Sequence, residues 1–144
     1  MKRPDAPSCG LSPARADETY RRLKKWLAAG KRFRRADCTV EAFAREAGLH
    51  RCYVSAAVRM GGGDSFGAMV SRLRVREACR LLRAACASER SAEEIAIAAG
   101  FGSRQSFYNA FRKYMGRTPS QYRVEATKAA VTADKAAATV EKKN

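Results

Sequence analysis

Tyr20, Leu23, Trp26 and Leu27 recur at three to four residues, with Arg21, Arg22, Lys24 and Lys25 on the other sides, which is the pattern of an amphipathic helix. Gly30 ends it, and Lys31, Arg32, Arg34 and Arg35 follow as a basic connection in which Phe33 turns inward. Thr39 suits the N-cap of a second helix carrying Val40, Phe43, Ala44 and Ala47 and stopping at Gly48. A third helix, His50 to Arg59, gathers Val54, Ala57 and Val58 on one face. The triplet Gly61, Gly62, Gly63 is expected to break it, because each interior glycine costs about 1 kcal/mol relative to alanine. Ser65 can cap a fourth helix with Phe66, Met69, Val70, Leu73, Ala78, Leu81 and Leu82, running to about residue 87. At ~1.5 Å per residue that helix spans roughly 30 Å.

Ser91 and Glu94 have the spacing of a capping box, which starts a fifth helix with Ile95, Ala96 and Ala99 inward and Gly100 as its stop. Ser103 caps a sixth, with Phe107, Phe111 and Tyr114 inward. Thr118 and Gln121 repeat the capping box around Pro119, giving a short seventh helix that holds Tyr122. Residues 1–17 show no periodicity and read as a disordered tail. Residues 124–144 are rich in Ala, Lys and Thr and read as a frayed helix or a disordered tail. The expected fold class is all-α, with seven helices.

The helices repeat. Thr39–Leu49 (TVEAFAREAGL) aligns with Ser91–Phe101 (SAEEIAIAAGF) at an offset of 52, matching the cap, a Glu, an inward apolar residue, an Ala, the Gly and the residue after it. Beyond the turn the offset becomes 53, pairing Val54 with Phe107, Val58 with Phe111 and Arg59 with Arg112. Each copy meets the needs of a helix-turn-helix: Ala44 or Ala96 allows a close crossing, the glycine a left-handed turn, and the next apolar residue ties the helices together. A protein-binding solenoid shares such hairpins, but two repeats are too few for one.

Charge adds a partner. The chain has 144 residues, 29 Lys and Arg against 14 Asp and Glu, and a net charge of +15. Residues 1–17 hold three basic and two acidic groups and residues 124–144 four and three, so an excess of +13 sits in 18–123. A polyanion is the expected partner, nucleic acid before an acidic membrane surface. The apolar runs fall short of the roughly 20 residues a membrane helix needs, and the start lacks a signal-peptide core, so a cytoplasmic, nucleoid-associated location is expected. Cys9, Cys38, Cys52, Cys79 and Cys86 form no CxxC pair and have one histidine, His50, to join them. They read as small buried hydrophobes, with Cys79 and Cys86 conceivable as a redox pair seven residues apart. No metal, cofactor or catalytic residue is expected, and an enzyme is not indicated.

Three segments carry a resemblance: Ala96–Phe101 (AIAAGF), Ser106–Lys113 (SFYNAFRK) and Gly116–Arg123 (GRTPSQYR), joined by Arg74–Leu82 (RVREACRLL). Residues from about 20 to 123 resemble the DNA-binding domain of the AraC/XylS family. The resemblance implies two helix-turn-helix units, about 39–59 and 91–115, joined by a long linking helix at about 66–87, within a domain at 18–123. It also implies a monomer reading two successive major grooves, which lie about 34 Å apart. Its partner would be double-stranded DNA, with RNA polymerase a further candidate contact. Small standalone family members suit this length, since residues 1–17 are too few to fold a ligand pocket.

Burying Phe107 and Phe111 leaves Arg104, Gln105, Tyr108, Asn109 and Arg112 outward, and with Ser103 and Ser106 these are the candidate readers of the second unit. Arg suits guanine O6 and N7, and Gln and Asn suit adenine N6 and N7. Arg112 is the better fit to phosphate, and Tyr108 either reads or packs. In the first unit the outward set is His50, Arg51, Cys52, Ser55, Ala56 and Arg59, with Arg51 and Arg59 suited to phosphates. Cys52, Ser55 and Ala56 are small where the resemblance implies larger polar groups, so less base discrimination is expected here. The expected function is a sequence-specific transcription regulator. The alternative is a non-specific nucleoid or RNA-binding protein driven by charge.

Overall fold

Helix formation begins earlier than the apolar periodicity indicates. The computed structural model describes residues 10–84 and 90–129. Helix α1, Pro13–Ala28, starts where the Ser12 side chain accepts from the Arg15 amide and proline occupies the first turn. Residues 13–17 therefore do not belong to a tail: Ala16 is buried, and its small side chain gave no apolar signal in the sequence. Residues 1–9 lie outside the described residues.

The chain divides into two units, Met1–Leu73 and Arg74–Asn144. In the first, α1 is followed by a 3-10 segment, Ala29–Arg34, whose Gly30 and Lys31 are left-handed. Helix α2, Val40–Ala47, begins at the Thr39 cap and ends at left-handed Gly48. Helix α3 is Arg51–Gly62, and the Ser65 hydroxyl caps α4, Phe66–Ala84, at the Ala68 amide. Leu23, Leu27, Phe33, Phe43, Val54, Val58, Met69 and Val70 form the core of this unit.

The glycine triplet does not break α3. Gly61 and Gly62 lie within the helix, and Gly63, left-handed at φ 68°, caps it. The reason is Tyr20 on α1, whose ring lies over the first two glycines: a Cβ on Gly61 would stand 2.6 Å from ring atoms. The glycines give up helix propensity to admit that ring.

In the second unit, α5, Ala92–Ala99, starts at Ser91, whose hydroxyl accepts from the Glu94 amide, and ends at left-handed Gly100. Helix α6 is Arg104–Met115, and residues 119–129 form α7. At the start of α7 the capping box is reciprocal: the Gln121 amide donates to Thr118 Oγ1, and the Thr118 amide donates to Gln121 Oε1. The core holds Val75, Ala78, Leu82, Ile95, Ala99, Phe107 and Phe111, the last two fully buried. Seven α-helices are thus present among the described residues, in an all-α fold. The expected end of α4 near residue 87 lies outside them.

Candidate nucleic-acid interface

The two helix-turn-helix units are built by the same local chemistry. At the end of α2 the Leu49 amide donates to Ala44 O at 2.8 Å, and at the end of α5 the Phe101 amide donates to Ala96 O at 3.0 Å. Both wrap a left-handed glycine in a Schellman arrangement. Helices α3 and α6 then follow, each of 12 residues and each capped by a left-handed glycine, Gly63 or Gly116. The extra residue of the second copy is Gly102, between Phe101 and the cap Ser103. The first copy passes directly from Leu49 to its cap, His50.

On α6, Phe107 and Phe111 face the core while Arg104, Gln105, Asn109 and Arg112 are exposed. Helical spacing sets Arg104, Tyr108 and Arg112 in one stripe, with Gln105 and Asn109 beside it. Tyr108 packs edge-on against Phe107, with ring centroids 5.7 Å apart, and remains half-exposed with the Arg104 guanidinium over its ring at 5.2 Å. Ser103 and Ser106 are occupied locally. The Ser106 amide donates to Ser103 Oγ, the two hydroxyls lie 2.8 Å apart, and Ser106 Oγ donates to Ser103 O.

On α3, Arg51, Cys52 and Arg59 are exposed, and Ser55 and Ala56 are half-buried. His50 has a task the sequence did not disclose. Its Nδ1 accepts from the Cys52 amide at 3.2 Å, so it is the N-cap of α3, and only Nε2 is left for another partner. The structure brings His50 to Arg59 together along α3 and its N-cap in the first unit, and Ser103 to Arg112 together along α6 and its N-cap in the second.

Two acidic residues join these surfaces that were not among the expected site residues. Glu41 on α2 pairs with Arg51, and Glu93 on α5 pairs with Arg104. Their signal was the Glu common to both copies of the repeat; the arginine partners appear only once the turn is folded.

The basic connection after α1 is partly neutralised. Arg32 pairs with Glu46 at 2.9 Å and stacks over Trp26, whose indole N–H donates to the same carboxylate, and Arg35 pairs with Asp37. The indole hydrogen bond, with help from Arg32, holds the Glu46 carboxyl below its ordinary value despite an opposing contribution from desolvation.

Cys38 and Cys79 are buried as expected, but Cys52 is exposed. Burial pushes the Cys79 thiol up, against the hydrogen bond to Tyr122 and the nearby Arg83. Cys9 and Cys86 lie outside the described residues. Among the described residues, no group of three or more His, Cys, Asp or Glu side chains is placed to hold a metal ion, and no helix is long and apolar enough to cross a membrane.

A family model described as a helix-turn-helix domain matches residues 43–125, more than half of the chain. The chain belongs to this AraC-type helix-turn-helix family. The C-terminal domain of AraT, a response regulator from Geobacillus stearothermophilus, is similar at 30% identity and a TM-score of 0.66, over 77% of this chain and 88% of that one. The C-terminal domain of the two-component response regulator yesN from Fusobacterium nucleatum shares the fold at 24% identity and a TM-score of 0.63, over 74% and 98% of the two chains. A DNA-binding transcriptional dual regulator from Escherichia coli K-12 shares it at 20% identity and a TM-score of 0.63, over 74% and 96%. Comparison with curated protein sequences gave no match. The AraC-type family and fold are those of DNA-binding transcription regulators and not of enzymes.

Proposed function

We propose that this chain is a sequence-specific transcription regulator that reads two adjacent major grooves of duplex DNA, with α3 in one and α6 in the other. The observation that carries the reading is the polar face of α6. Arg104, Gln105 and Asn109 stand exposed over a fully buried Phe107 and Phe111, so the side chains suited to base edges sit on a rigid helix. Arg59 and Arg112 grip phosphates, and His50, Arg51, Cys52, Ser55, Ser103, Ser106 and Tyr108 complete the contact surface. The protein acts as a monomer on its site, in the cytoplasm at the nucleoid, with RNA polymerase as a second partner at the promoter.

The net charge of +15 favours one other reading, a non-specific nucleoid or RNA-binding protein. Selection of sites from random duplex DNA at about 150 mM salt, near physiological ionic strength, separates the two. The regulator reading expects an asymmetric motif with two elements about one helical turn apart, one of which is lost when Arg104, Gln105 and Asn109 are changed to Ala. Tight binding with no enriched motif would overturn it.

A further inference from the structure

Arg51 and Arg104 are the first residues of α3 and α6, and each meets a carboxylate from the helix before it. Arg51 Nη1 lies 3.2 Å from Glu41 Oε1, and Arg104 Nη1 lies 3.3 Å from Glu93 Oε1. The glutamates are 52 positions apart and the arginines 53, so the pair persists although Gly102 lengthens the second turn.

Stability alone does not account for the pairs. All four side chains are about half or more exposed, and exposed ion pairs contribute little to stability. A carboxylate on a surface that meets phosphates also opposes binding through like-charge repulsion. Its effect on the arginine is more specific. A guanidinium carries five N–H donors, and a carboxylate on Nη1 leaves Nε and Nη2, enough for the two acceptors of a guanine edge.

We infer that Glu41 and Glu93 are positioning residues that hold Arg51 and Arg104 toward guanine edges and away from phosphates, lowering overall affinity while raising base selectivity. The inference rests on the reading of α3 and α6 as DNA-reading helices. It also makes the two halves unequal. The Arg104 guanidinium lies over the Tyr108 ring, whereas the residue 53 positions before Tyr108 is Ser55, which offers no ring. Arg104 is held by two neighbours and Arg51 by one, so the element read by α6 is the more selective.

The test uses the full chain and the duplex found by site selection. Glu93→Gln removes the charge and keeps the shape. It should bind unrelated duplex about two- to fivefold more tightly and lose about two- to fivefold of the guanine preference at the base pair read by Arg104. In an Arg104→Ala background the same change should leave base preference untouched, because the carboxylate acts through the arginine. Glu41→Gln, in the other unit, should move the same quantities in the same direction by less, and stands as an independent variant should Glu93→Gln disturb α5. Base preference unchanged in both variants, or an equal loss with Arg104 absent, overturns the inference alone. A wild-type protein that enriches no motif overturns the regulator reading and this inference with it.

Discussion

Asp64 pairs with Arg72 at 3.3 Å beside the start of α4, and 53 positions further on Arg117 pairs with Glu125 beside the start of α7, with the charges exchanged. The caps at these starts correspond too, Ser65 serving the Ala68 amide and Thr118 the Gln121 amide. The repeat is therefore three helices long: α2, α3 and the first turns of α4 match α5, α6 and α7. What recurs at this point is a contact and not a residue type, as expected of an exposed pair that tolerates either polarity.

Exchanging the second pair should then be nearly neutral. Arg117→Asp alone should cost up to about 1 kcal/mol, and adding Glu125→Arg should recover most of it, bringing the order of charges to that of the first unit. Thermal unfolding of the single and double variants measures this. A double variant no more stable than the single would show that the pair does not couple.

Gly61 and Gly62 should respond differently to alanine. At Gly61 a Cβ meets the root of the Tyr20 ring, which is fixed by α1, so Gly61→Ala should cost about 1–3 kcal/mol. At Gly62 it meets the phenol oxygen at the far end of that side chain, which can swing away, and the gain of about 1 kcal/mol in helix propensity should leave Gly62→Ala close to neutral. Denaturant unfolding that finds the two variants equal would remove Tyr20 as the cause.

Arg104 and Arg112 share a stripe of α6 but should fail differently. Arg104→Ala should cost about 1–3 kcal/mol on the selected site and relax preference at one base pair. Arg112→Ala should weaken binding to all duplexes alike and reduce the salt slope by about one. Affinities over a salt series, on the selected site and on a scrambled one, distinguish the two. Identical behaviour would mean that both residues meet phosphate.

Cys52 offers a footprint. It is exposed on α3 while Cys38 and Cys79 are buried, so among these three a maleimide should label Cys52 first, as peptide mapping by mass spectrometry would show. Bound duplex should slow that labelling several-fold. Unchanged labelling in the complex would take Cys52 out of the interface.

The Glu46 carboxyl titrates below its ordinary value because the Trp26 indole, and then Arg32, stabilise its charged form. A folded-state pKa below the unfolded one contributes stability that is present above the ordinary carboxylate range and is lost as pH falls through the folded value. Trp26 is the one tryptophan of the chain, so its fluorescence should change over that same acid range. Glu46→Gln should abolish the change and flatten the acid-side loss of stability. A fluorescence titration that survives the substitution would place its source elsewhere.

Much of the fold was legible because it is written in local chemistry. Thr39, Ser91, Ser103 and Thr118 announce helix starts, Gly48 and Gly100 announce turns, and Phe107 with Phe111 fixes which face of α6 is buried. What escaped depends on partners distant in sequence. The start of α1 rests on Ala16, too small to register in an apolar pattern, and the continuity of α3 through Gly61 rests on Tyr20, some forty positions away. In the candidate site the outward residues of α6 followed from periodicity, whereas the glutamates beside Arg51 and Arg104 emerge only when a turn folds one helix end against another. The capping role of His50 escaped for a related reason: histidine is not a usual cap, and only the geometry reveals that its ring nitrogen serves the Cys52 amide.

Helix α4 supplies Met69 and Val70 to one core and Val75, Ala78 and Leu82 to the other, and the boundary between the units falls inside it, after Leu73. A cut at that boundary would leave the fragments with 66–73 and 74–84 of the helix, about two and three turns, less than an isolated helix sustains in water. The turns that carry Met69 and Val70, and those that carry Val75, Ala78 and Leu82, are each too short to stay wound unaided, so the nucleation of one helix is a debt common to both cores.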